Sequence, residues 1–248
     1  PLWSRGLGDV YKRQDIDAIL YLADQWFGVT PILAACDHGK AVYSAISFPL
    51  DPGEAAVLQR RVEESGVAFM AELPRRHAAA TVRLKELIAT RLGPPRMLFC
   101  HRRVPLSPAS GPMPPRDRAS EARDLMELVD WCRYVAGVEP TSVVAVRHAE
   151  TVAADTDDYR MMSLDFSATG RIGDGPLAQI SCGYYMPRAW EEAVGFRPPP
   201  GLQVVCERGI AFVDLPQTLV WFDDAGRHQE SLESERPVGE RMLGQFHR

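Results

Sequence analysis

Four side chains that could take part in acid–base chemistry recur at helical spacing near the middle of the chain. Arg123, Glu127, Asp130 and Tyr134 stand at i, i+4, i+7 and i+11, so on a helix they would share one face. Burial beside an apolar stripe would let Glu127 accept a proton from a hydroxyl group. An ordinary i, i+4 ion pair between Arg123 and Glu127 explains the same spacing, so both interpretations stay open.

The helix that must carry these side chains is predicted over residues 121–136. Its buried stripe is formed by Leu125, Leu128, Val129, Cys132 and Val135. Residues 104–120 before it are rich in Pro and Ser, which predicts a loop.

The segment after this helix consists of short apolar runs separated by turn residues, which is typical of an antiparallel sheet. Met162, Leu164 and Phe166 alternate with Ser163 and Asp165, so one face should be buried and the other exposed. Residues 223–226, "DDAG", predict a hairpin turn.

The segment before residue 95 alternates strands with helices. Residues 16–23 form an apolar run typical of a strand buried on both faces, and strands also follow at 41–46 and 67–71. Thr30 is predicted to cap the first helix, Asp51 with Glu54 the second, and a third helix covers about 77–91. This order favours an open parallel α/β sheet.

Composition restricts the class of protein. The chain has 248 residues, 46% of them hydrophobic and 25% charged, as in globular proteins. A net charge of −5 argues against nucleic acid as a partner, and no apolar run is long enough to span a membrane. Five cysteines without a C-x-x-C pair predict reduced thiols in a cytoplasmic protein.

Residues 1–14 do not read as part of a domain. Asp9–Gln14, "DVYKRQ", can be back-translated into the mosaic end of a transposase adapter used in sequencing libraries. We therefore interpret residues 1–14 as an adapter-derived artefact and the chain as a fragment that begins at Asp15. Such a fragment would leave a sheet edge exposed, which predicts poor solubility.

Other groups of polar residues give weaker signals. Asp155, Asp157 and Asp158 lack the glycine and distal glutamate of a calcium loop, and the chain's histidines do not have the spacing of metal ligands. We therefore predict no metal site. The absence of a G-x-S-x-G elbow gives no hydrolase signal.

An ordered series of motifs covers nearly all of residues 15–248. The chain contains "DIDAILYLADQWFGV", "AACDHGKAVYSAISFPLD", "EESGVAFMAELPRRH" and "RLKELIATRLGPPR" in this order, and later "VVCERGIAFVDLP". The series resembles the Gfo/Idh/MocA family of glucose–fructose oxidoreductase, inositol dehydrogenase and their relatives. In that family the corresponding motifs run D-x-D-A-V-x-x-A-T-P-x-x-x-H, E-K-P-L and L-K-E-L-I.

The resemblance implies a fold, a cofactor and partners. It implies that residues 15–95 are the second half of an NAD(P)-binding Rossmann domain. Residues 96–248 would be an α/β domain with a large, mostly antiparallel open sheet. It also implies NAD or NADP as the cofactor, a sugar or polyol as the substrate, and a homo-oligomer that assembles through the sheet.

The resemblance also places the cofactor-contacting residues. They fall on three turns that follow predicted strands, namely Ala23, Asp24, Gln25 and Trp26, then Ser47, Phe48 and Pro49, then Glu72 and Arg76. The family's catalytic lysine falls on Phe48, which cannot donate a proton. Its catalytic histidine falls on Glu127, between Arg123 and Asp130, so these three become the catalytic candidates.

These departures leave two functions open. The first is an NAD(P)-dependent oxidoreductase with an altered catalytic set, in which Glu127 acts as the base. The second is a non-catalytic family member that binds nucleotide or sugar as a regulatory module.

Overall fold

The computed structural model describes residues 16–22, 27–45, 52–106, 118–148, 159–169, 171–187, 201–233 and 235–248. The chain folds into two compact units. The first comprises Pro1–Glu72, Arg118–Arg123 and Met242–Arg248, and the second comprises Leu73–Asp117 and Asp124–Arg241.

The first unit contains a three-stranded parallel sheet in the order β1-β2-β3. Its strands are β1 (Ala18–Tyr21), β2 (Ala41–Ser44) and β3 (Phe69–Ala71), and they alternate with helices α1 (Thr30–Asp37) and α2 (Pro52–Ser65). A small core joins these elements, formed by Tyr21, Ile32, Ala35, Cys36 and Val42. The predicted alternation of strands and helices is confirmed.

Two details of the first unit differ from the sequence prediction. Val29, not Thr30, precedes the first helical turn of α1, and no side-chain hydrogen bond caps this turn. Pro31 is then the second residue of the helix, where its missing N–H group costs no intrahelical hydrogen bond. Strand β1 is not buried on both faces, since Leu20 is 51% exposed. Among the described residues β1 pairs only with β2, so an apolar run alone overestimated how much of the strand is covered.

The second unit contains an eight-stranded sheet in the order β11-β10-β9-β8-β4-β7-β6-β5. The strands are β4 (Pro95–Leu106), β5 (Ser142–His148), β6 (Tyr159–Asp165), β7 (Leu177–Pro187), β8 (Leu202–Cys206), β9 (Ile210–Asp214), β10 (Thr218–Asp223) and β11 (Gly226–Ser231). All neighbouring pairs are antiparallel except β4 with β7. The predicted large, mostly antiparallel sheet is therefore confirmed.

Helices cover one face of this sheet. They are α3 (Pro74–His77), α4 (Ala79–Leu87), which continues as a π-helical turn at Ile88–Leu92, and α5 (Arg118–Ala136). The last helix in the chain is α6 (Val238–Phe246). Alternate strand residues such as Leu98 and Val204 join Trp131 of α5 in a continuous core. The predicted buried stripe of α5 is confirmed at Leu128, Cys132 and Val135.

Three local predictions can be compared with the structure of the second unit. The predicted loop over 104–120 is too long, because β4 continues to Leu106 and α5 begins at Arg118. Asp165 was predicted to be exposed but is buried, because its carboxylate accepts hydrogen bonds from the backbone N–H and the hydroxyl group of Ser167. The hairpin turn at 223–226 is confirmed.

None of the helices in the described part of the chain combines the length and the hydrophobicity needed to cross a membrane.

Candidate functional site

The predicted site residues fall into three groups. Residues 23–26 and 47–49, which hold most of the predicted cofactor contacts, lie outside the described residues. The other five are described, and the structure places Glu72 and Arg123 in one cluster of the first unit, and Arg76, Glu127 and Asp130 in another cluster of the second unit.

The first-unit cluster lies where strands β2 and β3 end. Ala45 follows β2 and Glu72 follows β3. The guanidinium group of Arg123 donates to the backbone oxygen atom of Ala45 and to Oε2 of Glu72, both at 3.1 Å. Parallel strands place their carboxyl ends at one edge, which is where open α/β sheets bind ligands.

Tyr43 of β2 belongs to the same cluster. Its side chain is buried, and its ring packs edge-on against Phe246 of α6. Burial raises the pKa of the Tyr43 hydroxyl group, and the charge of Glu72 raises it further. Tyr43 is therefore a neutral hydrogen-bond donor near neutral pH.

The second-unit cluster pairs the two acidic candidates of α5 with two consecutive arginines of α3. Nε of Arg75 donates to Oε2 of Glu127 at 3.0 Å, and Nε of Arg76 donates to Oδ2 of Asp130 at 2.7 Å. Glu127 is only 9% exposed and Asp130 only 2%. The partner of a buried carboxylate must offset the cost of its desolvation, and a guanidinium group stabilises the ionised form.

The aromatic member of the predicted helix face also joins this cluster. The ring of Tyr134 lies under two cations, with Cζ of Arg76 at 5.7 Å and Nζ of Lys85 at 5.5 Å from its centroid. Cation–π contacts of this kind fix the position of a guanidinium group without neutralising it. Tyr134 thus helps to hold Arg76 against Asp130.

A cavity of about 200 Å³ lies within the second unit. Its lining includes Arg75 of α3, Arg102 of β4 and Asp214 of β9, with apolar surface from Leu128 and Val213. Nε of Arg102 lies 2.8 Å from Oδ2 of Asp124, the distance of an ion pair, but without the alignment of a hydrogen bond. We call this space the arginine cavity.

His101 of β4 also lines the arginine cavity. Its Nδ1 lies 2.8 Å from the hydroxyl oxygen atom of Ser181. Burial lowers the pKa of His101, and the charge of Arg103 lowers it further. The imidazole is therefore neutral near pH 7.

Sequence reasoning did not select Arg75 or Arg102 as site residues. Arg75 precedes the selected Arg76 in "ELPRRH", and Arg102 lies in a strand whose charged residues gave no periodic signal. The available signal was that Arg102 interrupts the buried face defined by Leu98 and Cys100. A charged residue on the buried face of a strand needs a partner or a ligand.

Among the described residues no group of three or more His, Cys, Asp or Glu side chains could hold a metal ion. The carboxylates of the second-unit cluster can transfer protons, and its guanidinium groups can recognise negative charge.

Comparison with known proteins gives structural neighbours only. No protein-family model matches the chain, and no curated protein matches its sequence. A UDP-N-acetylglucosamine 3-dehydrogenase from Acidithiobacillus ferrooxidans is 20% identical, with a TM-score of 0.67. The alignment covers 93% of this chain and 68% of that protein.

Two further solved structures were determined with ligands. A levoglucosan dehydrogenase in complex with NADH and levoglucosan has a TM-score of 0.74 at 14% identity, covering 96% of this chain and 70% of that one. An oxidoreductase from Agrobacterium radiobacter in complex with NAD⁺, L-tartaric acid and magnesium has a TM-score of 0.69 at 13% identity. This alignment covers 96% of this chain and 70% of that protein.

These neighbours share the fold described above, a parallel α/β unit combined with a large mixed sheet. The chain therefore has the fold that its resemblance to the Gfo/Idh/MocA family implies.

Proposed function

We propose that this chain is part of an NAD(P)-dependent oxidoreductase that oxidises a hydroxyl-bearing carbon of a sugar, a polyol or a related compound. The observation that carries the proposal is the fold, which is shared with sugar dehydrogenases, one of them solved with NADH and its sugar. The residues of the two clusters supply the chemistry that such a reaction needs.

The first unit presents side-chain groups that suit the binding of a nicotinamide nucleotide. The strand ends of its parallel sheet bring together the hydroxyl group of Tyr43, the carboxylate of Glu72 and the guanidinium group of Arg123. These are donors and acceptors of the kind that bind ribose hydroxyls and carboxamides. When bound, the nicotinamide would supply the acceptor for the hydride that leaves the substrate carbon.

In the second unit, Glu127 is the proposed base. Its carboxylate would take the proton of the substrate hydroxyl group while the carbon loses a hydride and becomes a carbonyl carbon. Arg75 holds the carboxylate in one orientation by donating to its Oε2 atom. Arg76 and Asp130 are positioning residues, because their pair ties α3 to α5.

Turnover and cofactor binding test the proposal separately. NADH and NADPH binding is measured by fluorescence with the chain and with the longest available form of the protein. Absorbance at the wavelength of reduced nicotinamide is then followed over a panel of polyols and aldoses. We expect Glu127→Gln to lower kcat by about 100-fold or more with little change in cofactor affinity.

A matched control separates catalysis from loss of an ion pair. Glu139→Gln removes an exposed carboxylate that also pairs with an arginine, Arg133, at the end of the same helix. It should leave kcat within about twofold of the wild type. Equal losses in both variants would rule out a specific role for Glu127.

A specific observation favours a second candidate, a non-catalytic binding module. Both buried carboxylates of the proposed site are held by arginines, which is also what a purely structural network would look like. The replacement of the family's lysine by Phe48 points the same way. Measurable binding of NADH without turnover of any substrate in the panel would favour this candidate.

We also infer that the protein forms homo-oligomers through the face of the large sheet that the helices do not cover. Paired residues of five strands form an apolar row across this face, in the order Leu177, Met97, Val205, Ile210 and Phe222. Three of the five are about 40% exposed: Leu177, Met97 and Phe222. Continuous apolar surface of this kind marks interaction sites.

Light scattering coupled to size exclusion tests the oligomer. Met97→Glu combined with Phe222→Glu should convert it into monomers, whereas Ile172→Glu, at an exposed residue outside this row, should not. A monomeric wild type would refute this inference and leave the enzymatic proposal unaffected.

The cysteines support the proposal of a cytoplasmic location. All five are free and buried, which suits a reducing compartment. Exclusive detection of a tagged full-length protein outside the cytoplasm would refute it.

A further inference from the structure

Two guanidinium groups that line the arginine cavity keep N–H groups for which no described residue is an acceptor. Arg75 uses one N–H group on Glu127, and its remaining N–H groups donate to none of the described residues. Nε of Arg102 is buried 2.8 Å from Oδ2 of Asp124 without the alignment of a hydrogen bond, and no described residue accepts from the other N–H groups of Arg102. A buried donor without an acceptor is destabilising, so such groups in a native cavity call for a ligand.

The rest of the lining restricts what this ligand is. Leu128, Leu202 and Val213 contribute apolar surface, and Asp214 contributes an exposed carboxylate that has no ion-pair partner among the described residues. A free carboxylate accepts hydrogen bonds from hydroxyl groups. The ligand should therefore carry an anionic group for the arginines, a short carbon chain and hydroxyl groups.

The volume of the cavity argues against a large ligand. It measures about 200 Å³. Pockets for drug-sized molecules typically enclose about 300–1,000 Å³. The arginine cavity therefore suits a small metabolite and is too small for a nucleotide or a nucleotide sugar.

The geometry points to a substrate that carries a carboxylate, such as a sugar acid or a small hydroxy acid, bound through Arg75 and Arg102. Guanidinium groups recognise carboxylates through paired N–H donors. Arg75 also donates to Glu127, so the bound carboxylate would contact the same guanidinium group that holds the proposed base. This inference rests on the proposed function and assigns a substrate class to the same site.

Calorimetric titration of the whole chain with two probes tests the inference without any cofactor. D-gluconate and D-glucitol differ in having a carboxylate or a CH₂OH group at one end. We expect gluconate to bind about tenfold or more tightly than glucitol, since a charge-assisted hydrogen bond is worth at least that factor. Equal affinities, or no binding of gluconate, would overturn the inference.

Variants of Arg102 assign the effect to the cavity. Arg102→Gln should weaken gluconate binding by about 10- to 100-fold and leave glucitol binding unchanged. Arg102→Lys, which keeps the charge but loses the planar fork, should give an intermediate affinity. The control is Arg96→Gln, on the same strand at an exposed ion pair with Glu207, and it should change nothing.

Circular dichroism establishes that each variant is folded. If Arg102→Gln does not fold, the gluconate affinity of Arg102→Lys tests the inference instead. A wild-type affinity in that variant would overturn the inference. Complete displacement of gluconate by an equal concentration of inorganic phosphate or chloride would also overturn it, because it would indicate an unspecific anion contact only.

The same probes separate this inference from the proposed function. Gluconate binding that depends on Arg102, without turnover in the presence of either nicotinamide cofactor, would support the ligand class and contradict the oxidoreductase. Turnover of glucitol as fast as that of gluconate would support the oxidoreductase and contradict the ligand class.

Discussion

The two compact units differ in how fully their sheets are covered. In the second unit, alternate residues of neighbouring strands and one face of α5 form a continuous core around Trp131, which is fully buried. In the first unit, helix α2 buries none of its residues, and an open apolar groove of about 540 Å³ lies along Leu58, Val62 and Phe69.

This difference indicates which unit contributes more to the stability of the chain. Burial of apolar surface contributes about 25 cal/mol per Å², so the unit with the larger core should hold its structure more firmly. The predicted candidates Glu127 and Asp130 belong to that unit, whereas Glu72 and Arg123 belong to the less covered one. We expect the strand ends of the first unit to open first.

Thiol labelling should compare the two units directly in the native protein. Cys36 is the cysteine of the first unit and Cys206 lies in the second, and both are 5% exposed. Because labelling needs local opening, Cys36 should react about tenfold or more faster than Cys206 under native conditions. Burial raises the pKa of Cys206 to about 11, which slows its reaction further.

Mass spectrometry of peptides taken at successive times measures these rates. In denaturant all five cysteines should react at similar rates, which controls for intrinsic reactivity. Faster labelling of Cys206 than of Cys36 in the native protein would reverse the comparison.

Removal of a large core side chain should show the largest effect on the free energy of unfolding. Trp131→Ala empties the centre of the second core and removes the hydrogen bond from its indole N–H group to Thr81, so we expect a loss of about 3–5 kcal/mol in unfolding free energy. Phe69→Ala in the first unit removes a ring that is 38% exposed and should cost much less. Denaturant titration measures both, and similar costs would contradict the difference in packing.

Glycine substitutions compare packing more finely. A Cβ atom at Gly209 would lie 2.4 Å from the backbone oxygen atom of Phe222, so Gly209→Ala should cost about 1–3 kcal/mol. At Gly244, in the part of α6 that belongs to the first unit, no atom of the described residues lies within 4 Å of that position, apart from its chain neighbours and the backbone of its own helix. Gly244→Ala should be neutral or stabilising by up to about 1 kcal/mol. Thermal unfolding distinguishes the two, and a neutral Gly209→Ala would mean that the second unit is less tightly packed than described.

The smallest predicted effect is a pH-dependent one. Arg83 of α4 holds Glu230 of β11 by two hydrogen bonds of 2.8 and 2.9 Å, and this contact lowers the pKa of Glu230. A lowered pKa in the folded state adds stability above the unfolded pKa, and this stability is lost as the pH falls through the folded pKa. Glu230→Gln should therefore cost less than about 1 kcal/mol at pH 7.

Unfolding experiments at pH 7 and at about pH 3 test the sign of this effect. The difference between Glu230→Gln and the wild type should shrink as the pH falls. A difference that grows toward low pH would contradict the assignment of the ion pair.

The sequence predicted elements well where a local signal decides the structure. The hairpin at Asp223–Gly226 and the buried stripe of α5 are both confirmed, because turn residues and helical periodicity act over a few neighbours. Exposure was predicted less well. The apolar residues of β1 and the charge of Asp165 suggested the opposite of what the structure shows, since burial depends on which distant segments pack there.

The order of strands and helices, the open sheets and the helix face that carries Glu127 and Asp130 were determined by the sequence alone, through periodicity. The partners of that face were decided only by the tertiary structure. Arg75 and Arg76 lie more than fifty residues from Glu127 and Asp130 in the chain, and no local pattern predicts such a pairing. The physical reason is that a buried carboxylate must find a compensating charge wherever the packing of distant elements brings one near.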